Sequence, residues 1–250
     1  MFGKAGLKKG IETNLKNIPG WSSNRKLVVI ESDDWGSTRM PNKEVFDILL
    51  AKGIRVDENK FTSMDTLATS DDLNRLYETL SSVKDKNGNP AVLSPFVNTT
   101  NADFKKIIES DYKEYYYEPF TETLKKYYRE DVFATWKKGI NGKMFAPQYH
   151  GREHFNVPLL MKYLRDGHQE LREAFSHGVI HIPIAGIPTK KIGGLAPTHF
   201  YDNPQDLDHL KKAVVEGEKV FEDIFGFTPG SFGPPNGIFN DELEAALAQT

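Results

Sequence analysis

Two hydrophobic rhythms run along the chain. Short continuous apolar runs that stop at polar residues read as buried strands, and apolar residues spaced three and four apart read as helices. The first kind is found at 26–34 (KLVVIESDD), 91–99 (AVLSPFVNT), 143–150 (KMFAPQYH) and 177–186 (HGVIHIPIAG). The second kind fills 42–53, where Val45, Ile48 and Leu49 share a face before the Gly53 stop, and recurs at 71–90, 157–167 and 206–226, the last closed by Gly226. Asn240 suits the N-cap of a final helix, which the pattern carries to the end of the sequence without a C-cap. Strands alternating with helices predict a parallel α/β architecture. No repeat or low-complexity linker interrupts 1–250, so one domain is expected.

Residues 101–142 break the alternation. They are polar and aromatic, with Tyr115, Tyr116, Tyr117, Tyr127 and Tyr128. Two readings stand: a helical insertion whose rings cover the core, and a surface on which sugar rings stack.

Composition adds boundaries. Hydrophobic residues are 38% and aromatics 12%, enough for a sizeable core, and a net charge of −3 gives no bulk attraction to nucleic acid. The absence of cysteine excludes disulfides and thiolate metal sites. The basic stretch 1–21 lacks the uninterrupted apolar run of a signal peptide, and no later run is long enough to span a membrane. A cytoplasmic location is expected for the sequence as it stands, with a removed leader in a longer precursor as the alternative.

In a parallel α/β fold, functional residues gather at the C-terminal ends of strands. Asp33 and Asp34 stand at such an end, and so does His150, with His154 four residues on. On a helical turn the two imidazoles face the same way and can bind one cation. Two histidines and one carboxylate suit a catalytic divalent metal with open positions. The second carboxylate then stays unbound as a general base toward water. Taken singly, an Asp pair is common in turns and an H-x-x-x-H pair often caps a helix or decorates a surface; their joint placement at predicted strand ends favours the metal. His168, His177 and His209 show no such pairing. His181, inside an apolar run, reads as a core or pocket-wall residue, and His199 as a loop residue able to face a cleft.

These motifs resemble those of the polysaccharide deacetylase family (carbohydrate esterase family 4, the chitooligosaccharide deacetylase group). The family's strand followed by T-F-D-D-G stands here as Glu31-Ser32-Asp33-Asp34-Trp35-Gly36, and its H-[ST]-x-x-H as His150-Gly151-Arg152-Glu153-His154. Its F-R-P-P-Y-G followed by an Asn stands as Phe232-Gly233-Pro234-Pro235-Asn236-Gly237-Ile238-Phe239-Asn240. The similarity covers about 26–40, 91–98 and 143–250, with 99–142 as an insertion. The resemblance implies a distorted or incomplete (β/α) barrel that removes acetyl groups from carbohydrate. It also implies a divalent metal, commonly zinc, with nickel or cobalt compatible with the same ligands. Asp33 then matches the catalytic base, and Asp34, His150 and His154 the metal ligands. The backbone N–H of Asn236 matches an oxyanion donor, and Trp35, Arg152, Pro234 and Pro235 fall where substrate binds.

The sequence also departs from the family. The Arg that tethers the base is Gly233 here, Trp35 follows the Asp pair where the family has Gly, and Ser32 replaces Phe. No histidine follows His209, so the family's Leu-x-His, whose His is the general acid, has no counterpart. The resemblance therefore implies that the C-terminal barrel strands are lacking. Arg152, or another nearby cation, is expected to replace the missing tether beside Asp33. The alternative function is a non-catalytic carbohydrate-binding relative on the same scaffold. Glycosidic cleavage is disfavoured, because adjacent residues of a strand point to opposite sides and cannot flank a sugar linkage.

Overall fold

The computed structural model describes residues 15, 20, 22–184 and 194–249. Its elements are β1 (Ile30–Trp35), α1 (Lys43–Ala51), α2 (Lys60–Met64), α3 (Ser70–Ser82), β2 (Leu93–Val97), β3 (Thr100–Ala102), α4 (Phe104–Glu109), β4 (Tyr117–Pro119), α5 (Phe120–Lys126), α6 (Glu130–Asn141), β5 (Gln148–Tyr149), α7 (Val157–Arg165), α8 (Gln169–Ser176), α9 (Pro204–Phe225) and α10 (Asp241–Leu247). A single 3₁₀ turn covers Pro235–Gly237. The fold is mixed α/β. A parallel sheet has the order β1-β2-β5, and β3 and β4 form a separate antiparallel pair. No closed barrel is present among the described residues. Among them, too, no helix is long and apolar enough to cross a membrane.

Helix boundaries follow their capping residues. Asn42 and Asn156 accept from the backbone N–H of Val45 and Leu159 to open α1 and α7, and Thr69 with Asp72 forms a reciprocal capping box at α3. Asn203 caps α9, Pro204 opens it, and Gly226 in the left-handed region closes it. Asn240 caps α10 as expected, but that helix ends at Leu247 with Ala248 as its C-cap rather than running on uncapped.

Four expectations need correction. The first strand starts at Ile30, not Lys26. It lies at the edge of the described sheet, pairing there with β2, and Leu27 at 49%, Val28 at 88% and Val29 at 73% are exposed ahead of it. The third strand shrinks to Gln148–Tyr149, extended by isolated bridges from Phe145 to Leu93 and from Tyr149 to Phe232. The fourth is not a strand over 177–184. Val179, Ile180, Ile182 and Ile184 are buried, but the Ile182 N–H turns back to the Ile180 carbonyl and Pro183 has no N–H to give a ladder. Ala185 and Gly186 of that run lie outside the described residues. The 99–142 segment is not purely helical either, since it contains β3 and β4 on either side of α4.

One core packs α1, α7 and α8 around Leu49, Leu160 and Phe175, and a second packs α3, α5 and α6 around Trp136 and Phe145. A third, smaller core joins β5 to α9 through Tyr149, Val214 and Phe221. The closeness of α9 depends on Gly217. A Cβ there would lie 2.7 Å from Arg152 Cβ and 2.8 Å from Arg152 Cα, and would meet the Tyr149 hydroxyl. That hydroxyl donates at 2.7 Å to the Val214 carbonyl.

Candidate metal centre

The two motifs meet because β1 and β5 flank β2 in the parallel sheet. Between Ser32↔Pro95 and Trp35↔Val97 β1 carries one extra residue, so the strand bulges at Asp33-Asp34. Asp34 has φ 65°, a left-handed conformation that Asp tolerates better than most residues. The segment after β2 then ties both loops down. The Asn98 N–H donates to the Trp35 carbonyl, and its side chain donates to the His150 carbonyl at 3.1 Å. The N–H groups of Thr99 and Thr100 reach the carbonyls of Gly151 and Arg152. Asn101 holds the loop beyond Asp34, accepting from the Thr38 N–H and donating to the Gly36 carbonyl.

His150 and His154 lie in a loop, not on the helical turn expected, yet their rings come to 5.5 Å between centroids. Asp34 Oδ1 sits 3.3 Å from His150 Nε2 and 2.8 Å from His154 Nε2. One ligand atom from each of the three residues lies within 4.8 Å of the others, so this buried group could hold a metal ion. The His150 contacts leave its second ring nitrogen facing the site. His150 Nδ1 lies 2.6 Å from the Gly233 carbonyl, which can only accept, so Nδ1 carries a hydrogen and Nε2 is the ring nitrogen left for a ligand. That Nε2 and Asp34 Oδ1 are both buried without a hydrogen-bond partner among the described residues. Nε2 and Oδ1 at 3.3 Å can share either a proton or a metal ion. Burial alone would raise the Asp34 carboxyl. With protons on their Nε2 atoms, His150 and His154 donate to the carboxylate, and together with the Arg39 guanidinium they outweigh burial and hold the carboxyl well below the usual range.

Asp33 is exposed and lines a cavity of about 410 Å³ with Asp34, Trp35, Arg39, Phe61, Asp65 and Trp136. No ion pair reaches Asp33 from a described residue, so the expected tether is not met there. The cation beside the aspartate pair is Arg39, and it binds Asp34, with Nη2 to Oδ2 at 2.9 Å. Arg152 points its charge elsewhere, donating to Glu153 and Glu216 at 2.6 Å each and lying 4.5 Å over the Tyr117 ring. Burial opposes that charge, but Glu153, Tyr115 and Glu216 overcome it and keep the guanidinium protonated. Arg152 and Glu153 therefore anchor the histidine loop from behind.

The remaining expected residues divide. Trp35 lines the cavity but packs edge-on against Phe145 at 5.2 Å and Trp136 at 5.6 Å. Pro234, Pro235 and Asn236 lie on the His150 side and are not among the described residues of the cavity wall. Pro235 packs 3.3 Å from where a Cβ on Gly151 would stand. Asn236 has φ 55°, and its N–H donates to no described residue. Gly233 has a steric setting: a Cβ there would lie 2.8 Å and 2.9 Å from the Phe96 ring, so an Arg at this position would require that ring to move. His199 is buried between Phe232 and Phe239, with Nδ1 3.2 Å from the Ile238 carbonyl. The ring of His181 lies 6.4 Å from that of His154. None of Tyr115, Tyr116, Tyr117, Tyr127 and Tyr128 lines the cavity among its described residues, and Tyr115 and Tyr117 are taken up by Arg152 and Glu153.

Sequence reasoning missed Arg39 and Asp65. The only local signal was an isolated charge in the run between Asp34 and Pro41. Comparison of the chain with protein-family models, with curated proteins and with solved structures finds no match in any of the three.

Proposed function

We propose that this chain is a metal-dependent hydrolase that removes acetyl groups from carbohydrate, on a scaffold of the polysaccharide deacetylase type. In that reading the β1-β2-β5 sheet is part of a distorted, incomplete (β/α) barrel. The observation that carries it is the convergence of Asp34, His150 and His154 beside a second, unpaired carboxylate, Asp33, that faces a cavity. Asp34, His150 and His154 would hold the cation, and nitrogen and oxygen donors without thiolate suit zinc, nickel or cobalt. When bound, it supplies Lewis acidity toward an acyl carbonyl and toward water.

The chain's own residues supply the rest. Asp33 takes the proton from the attacking water, a role that needs exposure to the cavity and freedom from an ion pair. Trp35 and Phe61 give the cavity apolar walls against which a sugar face can lie. The Asn236 N–H is the backbone donor for negative charge developing on the acyl oxygen. No described histidine in the cavity wall protonates the leaving group. An alkoxide leaves without help more readily than an amide anion, so esters should be cleaved faster than amides. The test compares acetate release from an O-acetylated and an N-acetylated oligosaccharide. The expected result is faster ester cleavage, reduced at least about 100-fold in Asp33→Asn. Equal activity in Asp33→Asn would overturn the assignment of the base, and faster amide cleavage would show that a proton donor is present.

The second reading, a carbohydrate-binding relative without activity, is favoured by one observation: position 233, where the base-tethering Arg would stand, is a glycine packed against the Phe96 ring. It predicts oligosaccharide binding with no acetate release from either substrate.

A further inference from the structure

Arg39 is 7% exposed and touches both Asp34 and His154, although it is not itself a ligand. Its Nη2 donates to Asp34 Oδ2 at 2.9 Å, which leaves Oδ1 as the oxygen facing the two imidazoles. The same Nη2 lies 3.5 Å from His154 Nδ1. If His154 gives its Nε2 lone pair to a cation, Nδ1 must carry the hydrogen, and a guanidinium pressed against it would set donor against donor. Asp65 pulls the other way. Its Oδ2 lies 3.4 Å from Arg39 Nε, its carbonyl accepts from the N–H groups of Arg39 and Met40, and Phe61 of α2 stands 5.9 Å from the guanidinium.

Resting on the metal reading above, we infer that Arg39 and Asp65 form a clamp with two tasks. Arg39 fixes Asp34 as a one-oxygen ligand, and Asp65, at ion-pair distance from Nε, competes with His154 for the guanidinium so that both imidazoles can serve. The pair is a positioning device, in which Arg39 brings positive charge to Asp34 from the loop after β1, whereas a side chain at position 233 would meet the Phe96 ring.

The test is titration of the metal-free full chain with zinc against a competing chelator, for wild type, Asp65→Asn and Arg39→Gln. The visible spectrum of each cobalt-loaded protein and the thermal midpoint of each metal-free protein are recorded alongside. The expected result is an affinity at least about tenfold weaker in both variants. In Arg39→Gln the cobalt bands should also weaken, because a freed Asp34 adds its second oxygen and raises the coordination number. Asp65→Asn, which keeps the buried Arg39–Asp34 pair, carries the test if Arg39→Gln does not fold. Wild-type affinity and spectrum in the variants, with only the thermal midpoint lowered, would overturn the clamp and leave the metal reading standing. Absence of zinc binding by wild type would remove the metal reading and the clamp together.

Discussion

His199 shows how far burial can set a residue's chemistry. Burial pushes its imidazole down from 6.5 to about 4; the Ile238 carbonyl opposes the change, and His150 and His154 add to it. The ring is therefore neutral at pH 7, which makes it a poor proton donor for a leaving group. The same shift has a stability consequence. As pH falls from 6.5 toward 4, the unfolded chain takes up a proton that the folded chain refuses, so stability is full above 6.5 and is lost on acidification. At 1.36 kcal/mol per pH unit, the loss attributable to His199 is about 3 kcal/mol. Urea unfolding of wild type and His199→Gln at pH 7.5 and pH 4.5 isolates it, because other acid-sensitive groups are common to both. The variant should gain on wild type by most of that amount at the lower pH. Parallel losses in the two proteins would show that His199 is not held neutral.

Among the elements, the long helix α9 governs the histidine loop. Gly217 lets α9 lie against Tyr149 and Arg152, and Glu216 beside it holds the Arg152 guanidinium. Gly217→Ala forces backbone as well as side chains to move, since the added carbon would stand 2.8 Å from Arg152 Cα. The expected cost is about 2 kcal/mol of stability, with weaker metal binding because Arg152 lies between His150 and His154. Thermal unfolding and zinc titration check the two parts separately, and an unchanged zinc affinity would mean that α9 supports the fold but not the site. The helices were legible in the sequence because their caps are local: Asn42, Asn240 and Gly226 act within a few residues. The strands were less so. An apolar run such as Leu27–Ile30 cannot report whether a neighbour will cover it, and the Pro183 segment is buried without a ladder. The Asp34-His150-His154 grouping was legible because Asp34 and His150 each end a run and His154 follows His150 by four residues. Arg39 and Asp65 were not, since their role depends on contacts between a turn and a helix end that no spacing announces.

For the molecule as a whole, the three-stranded sheet brings Asp34 from one edge and the histidine loop from the other to a single point, and the strap at 98–101 fixes both. The central claim is that the adjacent carboxylates divide, Asp34 to a cation and Asp33 to the cavity. Metal content after equilibration with limiting zinc, measured for wild type, Asp34→Asn and Asp33→Asn, tests it most directly. Asn tolerates the left-handed backbone at position 34, so the loop should keep its shape when the charge is removed. The account predicts one zinc per chain in wild type and in Asp33→Asn, and none in Asp34→Asn. Retention of zinc by Asp34→Asn, or its loss from Asp33→Asn, would contradict it.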